Sequence, residues 1–215
     1  MPTPTRHPPP GPDRDAALAQ YQRRASTYDL ELAAFEPLRR LAIEQLALQA
    51  GETVIDVGCG TGLSLPLLSR AVAPRGHVIG IEQSPEMIER ARSRVRELHL
   101  HPVRLVCAPA EQVADTRAAD AMLFHFTHDV LQRPEAVDAM LRHLRPGGRV
   151  VACGLQWAPP WALPLNLFVW GAAMRSVSSL RGLERPWQAL ERQAGPMQVQ
   201  SHLMGAVYLA VGRKH

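Results

Sequence analysis

Val54-Ile55-Asp56-Val57-Gly58-Cys59-Gly60-Thr61-Gly62 is the stretch that decides how this 215-residue chain is read. The apolar, β-branched run from Thr53 to Val57 predicts a buried parallel strand. The glycines after it let the chain turn sharply where a ligand can approach bare backbone. Further on, His77-Val78-Ile79-Gly80-Ile81 predicts a second such strand, ending at Glu82. A carboxylate there can accept hydrogen bonds from both ribose hydroxyls of a nucleoside lying across the two strand ends. Each acid also has a plainer reading, Asp56 as a helix cap and Glu82 as partner of a surface arginine.

Spacing narrows the ligand. The loop is G-x-G-x-G and follows an aspartate, whereas the G-x-G-x-x-G loop turns a helix N-terminus toward a pyrophosphate. Asp56 would repel a pyrophosphate but suits a cationic amine. Three more motifs follow in order: Ser84-Pro85-Glu86-Met87-Ile88, Ala110-Glu111-Gln112 and Leu144-Arg145-Pro146-Gly147-Gly148. With them the chain resembles the class I S-adenosylmethionine (SAM) dependent methyltransferases. The likeness is to the small-molecule branch typified by the ubiquinone and menaquinone biosynthesis C-methyltransferases, over roughly residues 20 to 155.

That resemblance implies SAM as cofactor, held by Tyr28, Asp56, Gly58, Cys59, Gly60, Gly62, Glu82, Gln83, Ala110, Glu111, Phe124 and His125. It also implies a small, fairly apolar methyl acceptor: a phenol, a quinone-like ring, an amine or a lipid headgroup. Pro109 departs from the family, which often has an aspartate there; a proline supplies neither a carboxylate nor an N–H toward adenine. His128 and Asp129 match a frequent His-His pair. A histidine with an ordinary pKa near 6.5 suits a general base, with packing or substrate positioning as the alternative. No Asn-Pro-Pro-Tyr tetrapeptide follows the fourth strand, which argues against amide or base nitrogens as acceptors. His125 and His128 lack a third ligand at metal-binding spacing, so no metal is expected. Two other functional readings stay open: a SAM-binding pseudoenzyme or regulatory partner, and a nicotinamide-dependent reductase. The glycine spacing and the lack of a Tyr-x-x-x-Lys pair disfavour the reductase.

The wider pattern agrees with an α/β chain. Predicted strands at 53–58, 77–82, 103–108, 119–126 and 149–155 alternate with helices at 64–72, 85–99, near 111–114 and 134–144, which means a parallel sheet covered on both faces. Helix 186–193 then leads to a closing hairpin of Met197 to Leu203 and Val207 to Val211. The resemblance implies a Rossmann-like fold with a seven-stranded, mostly parallel sheet, an antiparallel C-terminal hairpin and an N-terminal helical cap. A proline-rich tail (1–14) precedes a single domain (15–215), whose cap covers 15–50 with helices around Ala16 to Tyr28 and Leu38 to Leu48.

Residues 150 to 174 carry no charge, but Gln156, Pro159, Pro160, Pro164 and Asn166 break a lipid-spanning helix. The insertion at 156–185 reads as an apolar lid over the substrate, using Trp157, Trp161, Phe168 and Trp170. A packed helix, a homodimer face or a peripheral lipid contact are the alternatives. The net charge of +4 is spread, with Arg90, Arg92, Arg94 and Arg96 among Glu86, Glu89 and Glu97, so a nucleic-acid partner is not expected. Cys59, Cys107 and Cys153 lack C-x-x-C spacing and no secretory signal is visible, which together predict a cytoplasmic protein.

Overall fold

The structure, a computed structural model, describes residues 33–100, 102–114, 118–176 and 180–215. The expected tail, the helix around Ala16 to Tyr28 and the Tyr28 contact lie outside the described residues. The elements, in order, are α1 (Glu36–Gln45), β1 (Thr53–Val57), α2 (Leu65–Val72), β2 (His77–Glu82), α3 (Pro85–Glu97), β3 (Val103–Cys107), β4 (Ala119–His125), α4 (His128–Leu131), α5 (Pro134–Arg142), β5 (Leu144–Leu155), α6 (Leu163–Ser176), α7 (Gln188–Ala194), β6 (Met197–His202) and β7 (Val207–Arg213).

They build one seven-stranded sheet in the order β3-β2-β1-β4-β5-β7-β6. Strands β1 to β5 pair in parallel, while β7 runs antiparallel to both β5 and β6. The order turns back between β1 and β4, and this opens a crevice at their carboxyl ends, where ligands bind in open α/β sheets. Every residue of β1 is buried, because helices cover both faces. Alternate residues feed two cores. Ile55, Val57, Met122 and Phe124 pack with α5 and α7, and Val54, Ala121, Leu123 and Val151 pack with α1, α2 and α6.

Local chemistry sets the helix ends. Ser84 Oγ accepts the Met87 N–H at 3.3 Å, Pro85 occupies the first turn, and Arg94 and Arg96 fall in the last turn of α3. Helix α1 ends at Gln45, short of the expected Leu48, where the chain turns through Ala47 at φ +46°. Strand β5 starts five residues earlier than expected: Leu144 pairs with Ala119, and the register shifts before Ala121 meets Arg149. The intervening Arg145 to Gly148 form a bulge.

The insertion after β5 is tied at its root. The Trp157 N–H donates to the Leu183 carbonyl at 3.0 Å, and the Asn166 side chain exchanges hydrogen bonds with both backbone groups of Ala158. Val169 and Ala173 of α6 are fully buried. Helical phase therefore turns Leu163, Leu167, Trp170 and Met174 outward. Among the described residues no helix is long and apolar enough to cross a membrane. This phase predicts that Val169→Ala lowers the unfolding free energy by about 2 kcal/mol through a core cavity. Leu167→Ala should change it by less than about 0.5 kcal/mol. Equal losses in denaturant titrations would mean that α6 is rotated from this placement.

Candidate active site

The glycine loop takes its shape from backbone geometry. Gly58 leaves β1 at φ +68°, and a Cβ built on it would lie 2.4 Å from Thr127 Cγ2. Only a glycine fits between β1 and the end of β4 at that point. The Cys59 N–H then donates to the Ile81 carbonyl at 2.9 Å. Glu82 completes the joint. Its Oε2 accepts the Gly60 N–H at 3.1 Å, its Oε1 accepts the Ser84 N–H at 2.9 Å, and its carbonyl accepts the Ala108 N–H at 3.0 Å. Burial holds the Glu82 carboxyl above its ordinary value, the Ser84, Gly60 and Gln83 N–H groups offsetting part of the rise. An ionised carboxylate has about four lone-pair sites, so capacity remains for two ligand hydroxyls.

Above this joint opens a cleft of about 610 Å³, counting the open solvent at its mouth. Val57, Ile81, Met87, Ala108, Ala110 and Phe126 give it apolar walls, and Glu82, Gln83, Thr127, Asp129 and Arg133 supply polar groups. That mixture suits a nucleoside. Phe126 holds φ +57°, which is uncommon for a bulky residue; its ring packs 4.9 Å from Phe35, so the chain ahead of α1 reaches the cleft wall.

A second, polar pocket of about 280 Å³ shares Gly58 with the cleft and adds Arg39, Asp56, Cys59, Thr61, Ser64 and His125. Arg39 comes from α1 and is only 2% exposed; one end of its guanidinium pairs with Glu36. Three buried polar atoms around this pocket lack a hydrogen-bond partner: Arg39 Nε, Asp56 Oδ2 and His125 Nε2. Burial pushes the Asp56 carboxyl up to about 7; Arg39 opposes this and Glu82 adds to it. Burial, reinforced by the Arg39 charge, pushes His125 down to about 3, so its imidazole is neutral. Burial also holds the Cys59 thiol well above its ordinary value, which leaves it protonated and unreactive.

Gly58, Gly60, Glu82, Gln83 and Ala110 line the cleft, and Asp56, Cys59 and His125 line the adjoining pocket. Four residues sit elsewhere. Glu111 lines neither space and pairs with Arg133 at 2.6 Å. Phe124 is a core side chain with no exposure. Gly62 is a packing glycine, since a Cβ there would come within 2.7 Å of Leu65 and 3.2 Å of Ala91. His128 is buried outside both spaces, its Nε2 2.9 Å from the Arg181 carbonyl. Trp157, Trp161, Phe168 and Trp170 are not among the residues lining the cleft. Trp157 packs half-buried against the core and Trp161, ahead of α6, is exposed, while Phe168 and Trp170 are exposed because Val169 and Ala173 occupy the inner face of α6. Arg39 and Arg133 were missed in the sequence.

Residues 54–148 match the family described as "Methyltransferase domain". Over that stretch the chain is similar to SAM-dependent methyltransferases. It is 39% identical over 142 residues to a phosphatidylethanolamine N-methyltransferase of Cereibacter sphaeroides, a match covering 64% of this chain and 66% of that one. It is 33% identical over 117 residues to the ubiquinone/menaquinone biosynthesis C-methyltransferase UbiE of a Geobacter strain, covering 53% and 49%. The matched stretch thus spans less than two thirds of the length of these curated relatives. In structure, the chain resembles a SAM-dependent methyltransferase from Aquifex aeolicus with a TM-score of 0.60 at 21% identity, over 92% of this chain and 98% of that one.

Within this methyltransferase frame, Glu82→Ala strands the Gly60 and Ser84 amides. It should lower the unfolding free energy by about 1–3 kcal/mol and weaken S-adenosylhomocysteine binding at least about tenfold. Glu82→Gln, which keeps an acceptor oxygen, should fall between Ala and wild type. Calorimetric affinity unchanged in Glu82→Ala would remove Glu82 from the nucleoside site.

Proposed function

We propose that this protein transfers a methyl group from SAM to a small, fairly apolar organic acceptor. The observation that carries the reading is the convergence of Arg39, Asp56 and His125, each with an unpartnered buried polar atom, on a pocket joined through Gly58 to a nucleoside-sized cleft. A guanidinium and a carboxylate facing one small pocket select a zwitterion: the arginine meets a carboxylate and the aspartate an ammonium. An amino-acid group beside a nucleoside is the shape of SAM. Glu82 then holds the ribose, while Met87 and Ala110 flank the base.

SAM held there would supply a methyl carbon activated by its sulfonium to an acceptor nucleophile, and sulfur would keep the electrons of the carbon–sulfur bond. The protein's part is to align the two and keep water out, and orientation alone can supply roughly 7–11 kcal/mol of the barrier. His125 contributes by staying neutral: a buried imidazolium would repel a sulfonium, and burial prevents it. His128, tied to the Arg181 carbonyl, orders the 180–185 segment in this reading rather than accepting a proton. Support for an apolar acceptor comes from the Phe35 and Phe126 rings at the cleft and from relatives named for a phospholipid and for quinones. We further read residues 15–215 as one domain with a cap at 15–50 and an insertion at 156–185. The free thiols of Cys59, Cys107 and Cys153 support a reducing, cytoplasmic setting.

Two measurements test the zwitterion pocket. Arg39→Met should weaken S-adenosylhomocysteine binding by roughly ten- to hundredfold through loss of a charge-assisted bond. The second is pH. With its carboxyl at about 7, Asp56 is protonated in the free protein below that pH, and meeting an ammonium requires the proton to leave. Affinity should therefore climb by up to about tenfold per unit as pH rises toward 7 and level off above it. Asp56→Asn should abolish that slope. A flat wild-type profile by calorimetry between about pH 5.5 and 8 sinks the assignment.

A further inference from the structure

Eight of the ten large apolar side chains exposed among the described residues fall in just two segments, 161–174 and 203–204. That concentration marks a surface, since scattered exposed apolar residues need no explanation but a contiguous patch does. The two segments are neighbours. A Cβ on Gly205, at the hairpin tip, would lie 2.7 Å from Pro159 Cδ, just ahead of Trp161. Leu203 and Met204 hold φ +48° and +52° at that tip. Trp161, Leu163 and Met204 are 76%, 72% and 72% exposed, so they project from the molecule.

We propose that α6 and the β6–β7 tip dock this protein onto an anionic lipid bilayer, with Trp161, Leu163, Leu167 and Met204 entering the acyl boundary. Charge favours this occupant. Residues 150–174 and 194–212 contain no Asp, Glu, Lys or Arg, and the stretch joining them holds Arg175, Arg181, Arg185 and Arg192 against Glu184 and Glu191. The sequence thus sets uncharged apolar stretches on either side of one with four arginines against two glutamates, Arg185 pairing with Glu191, and its net positive charge complements acidic headgroups. Projecting knobs on two separate elements suit a deformable acyl phase, and tryptophan sits well at its boundary. The 14 residues of α6 span about 21 Å, too short to cross a bilayer, so the helix lies along it. The docking face also adjoins the carboxyl edge of the sheet: β5 pairs His125 with Cys153, and Leu155 with Val207 at the start of β7. Both the insertion and the hairpin tip therefore leave the sheet at the edge where the glycine loop lies.

The test is co-sedimentation of the full chain with phosphatidylcholine vesicles, with and without roughly one third phosphatidylglycerol, at low salt. Acidic vesicles should take up the protein at least about tenfold more strongly than neutral ones, and brominated acyl chains should quench part of its tryptophan emission. Leu167→Glu combined with Met204→Glu should cut that uptake about tenfold or more while S-adenosylhomocysteine affinity stays at the wild-type value. Leu163→Gln with Leu203→Gln serves if the first pair does not fold. Wild-type protein that stays in the supernatant, equal uptake by neutral vesicles, or variants that sediment like wild type would each overturn the proposal. So would a wild-type dimer that ignores vesicles and becomes monomeric in the variants, which assigns the face to a second copy. S-adenosylhomocysteine binding is read separately, so loss of docking leaves the proposed cofactor site standing.

Discussion

The Glu82 carboxylate is the joint on which the site depends. It receives amides from two loops, Gly60 after β1 and Ser84 before α3, while its own carbonyl holds Ala108 beyond β3. Three strand ends are thereby fixed relative to one another before any ligand arrives. The arrangement makes burial of the carboxylate tolerable, because backbone N–H groups replace the water it loses. It also holds Gly58 and Gly60 in left-handed conformations, which glycine adopts without steric cost. A ribose at this place would meet an acceptor already aimed, with no loop ordering left to oppose binding.

The neighbouring pocket is built the opposite way, from groups left unsatisfied. Asp56 holds a proton up to about pH 7 that the unfolded chain gives up near pH 4, so its contribution to stability falls as pH rises through that window. His125 refuses, down to about pH 3, a proton that the unfolded chain accepts near 6.5, so its contribution falls as pH drops through that window. The two oppose each other across the acid range. A zwitterion that pairs with Arg39 and ionised Asp56 relieves part of this cost only in the bound state. The fold therefore gains stability from its ligand where it is weakest alone.

What could be read from the chain follows from how each signal is written. The strands and the glycine loop were legible because buried parallel strands are apolar throughout and a G-x-G-x-G run has few other uses. Glu82 was legible from its place at a strand end, although its grip on Gly60 and Ser84 was not. Arg39 was missed, yet it had left a trace: with Ala42, Ile43 and Leu46 it occupies a single buried stripe, an arginine where an apolar residue belongs. Phe126 gave no warning of its left-handed backbone, since glycine or asparagine is the usual sign. The facing of α6 was hidden for a different reason. Helix α6 is apolar on nearly every side, so sequence could not say which side meets the core, and packing of Val169 and Ala173 against the sheet decided it.

The sheet divides its labour along its own direction of pairing. Its parallel half, β3-β2-β1-β4, ends in loops that converge because all four strands run the same way, and those loops carry the cleft and the polar pocket. Past β5 the direction reverses at β7, so the chain arrives at the same edge as a hairpin tip and an insertion instead of a strand-to-helix turn. Neither of these needs to shape a cofactor, and each is free to carry apolar side chains outward. One edge of one sheet thus carries the cleft and the polar pocket beside an exposed apolar surface. The reversal of a single strand separates them.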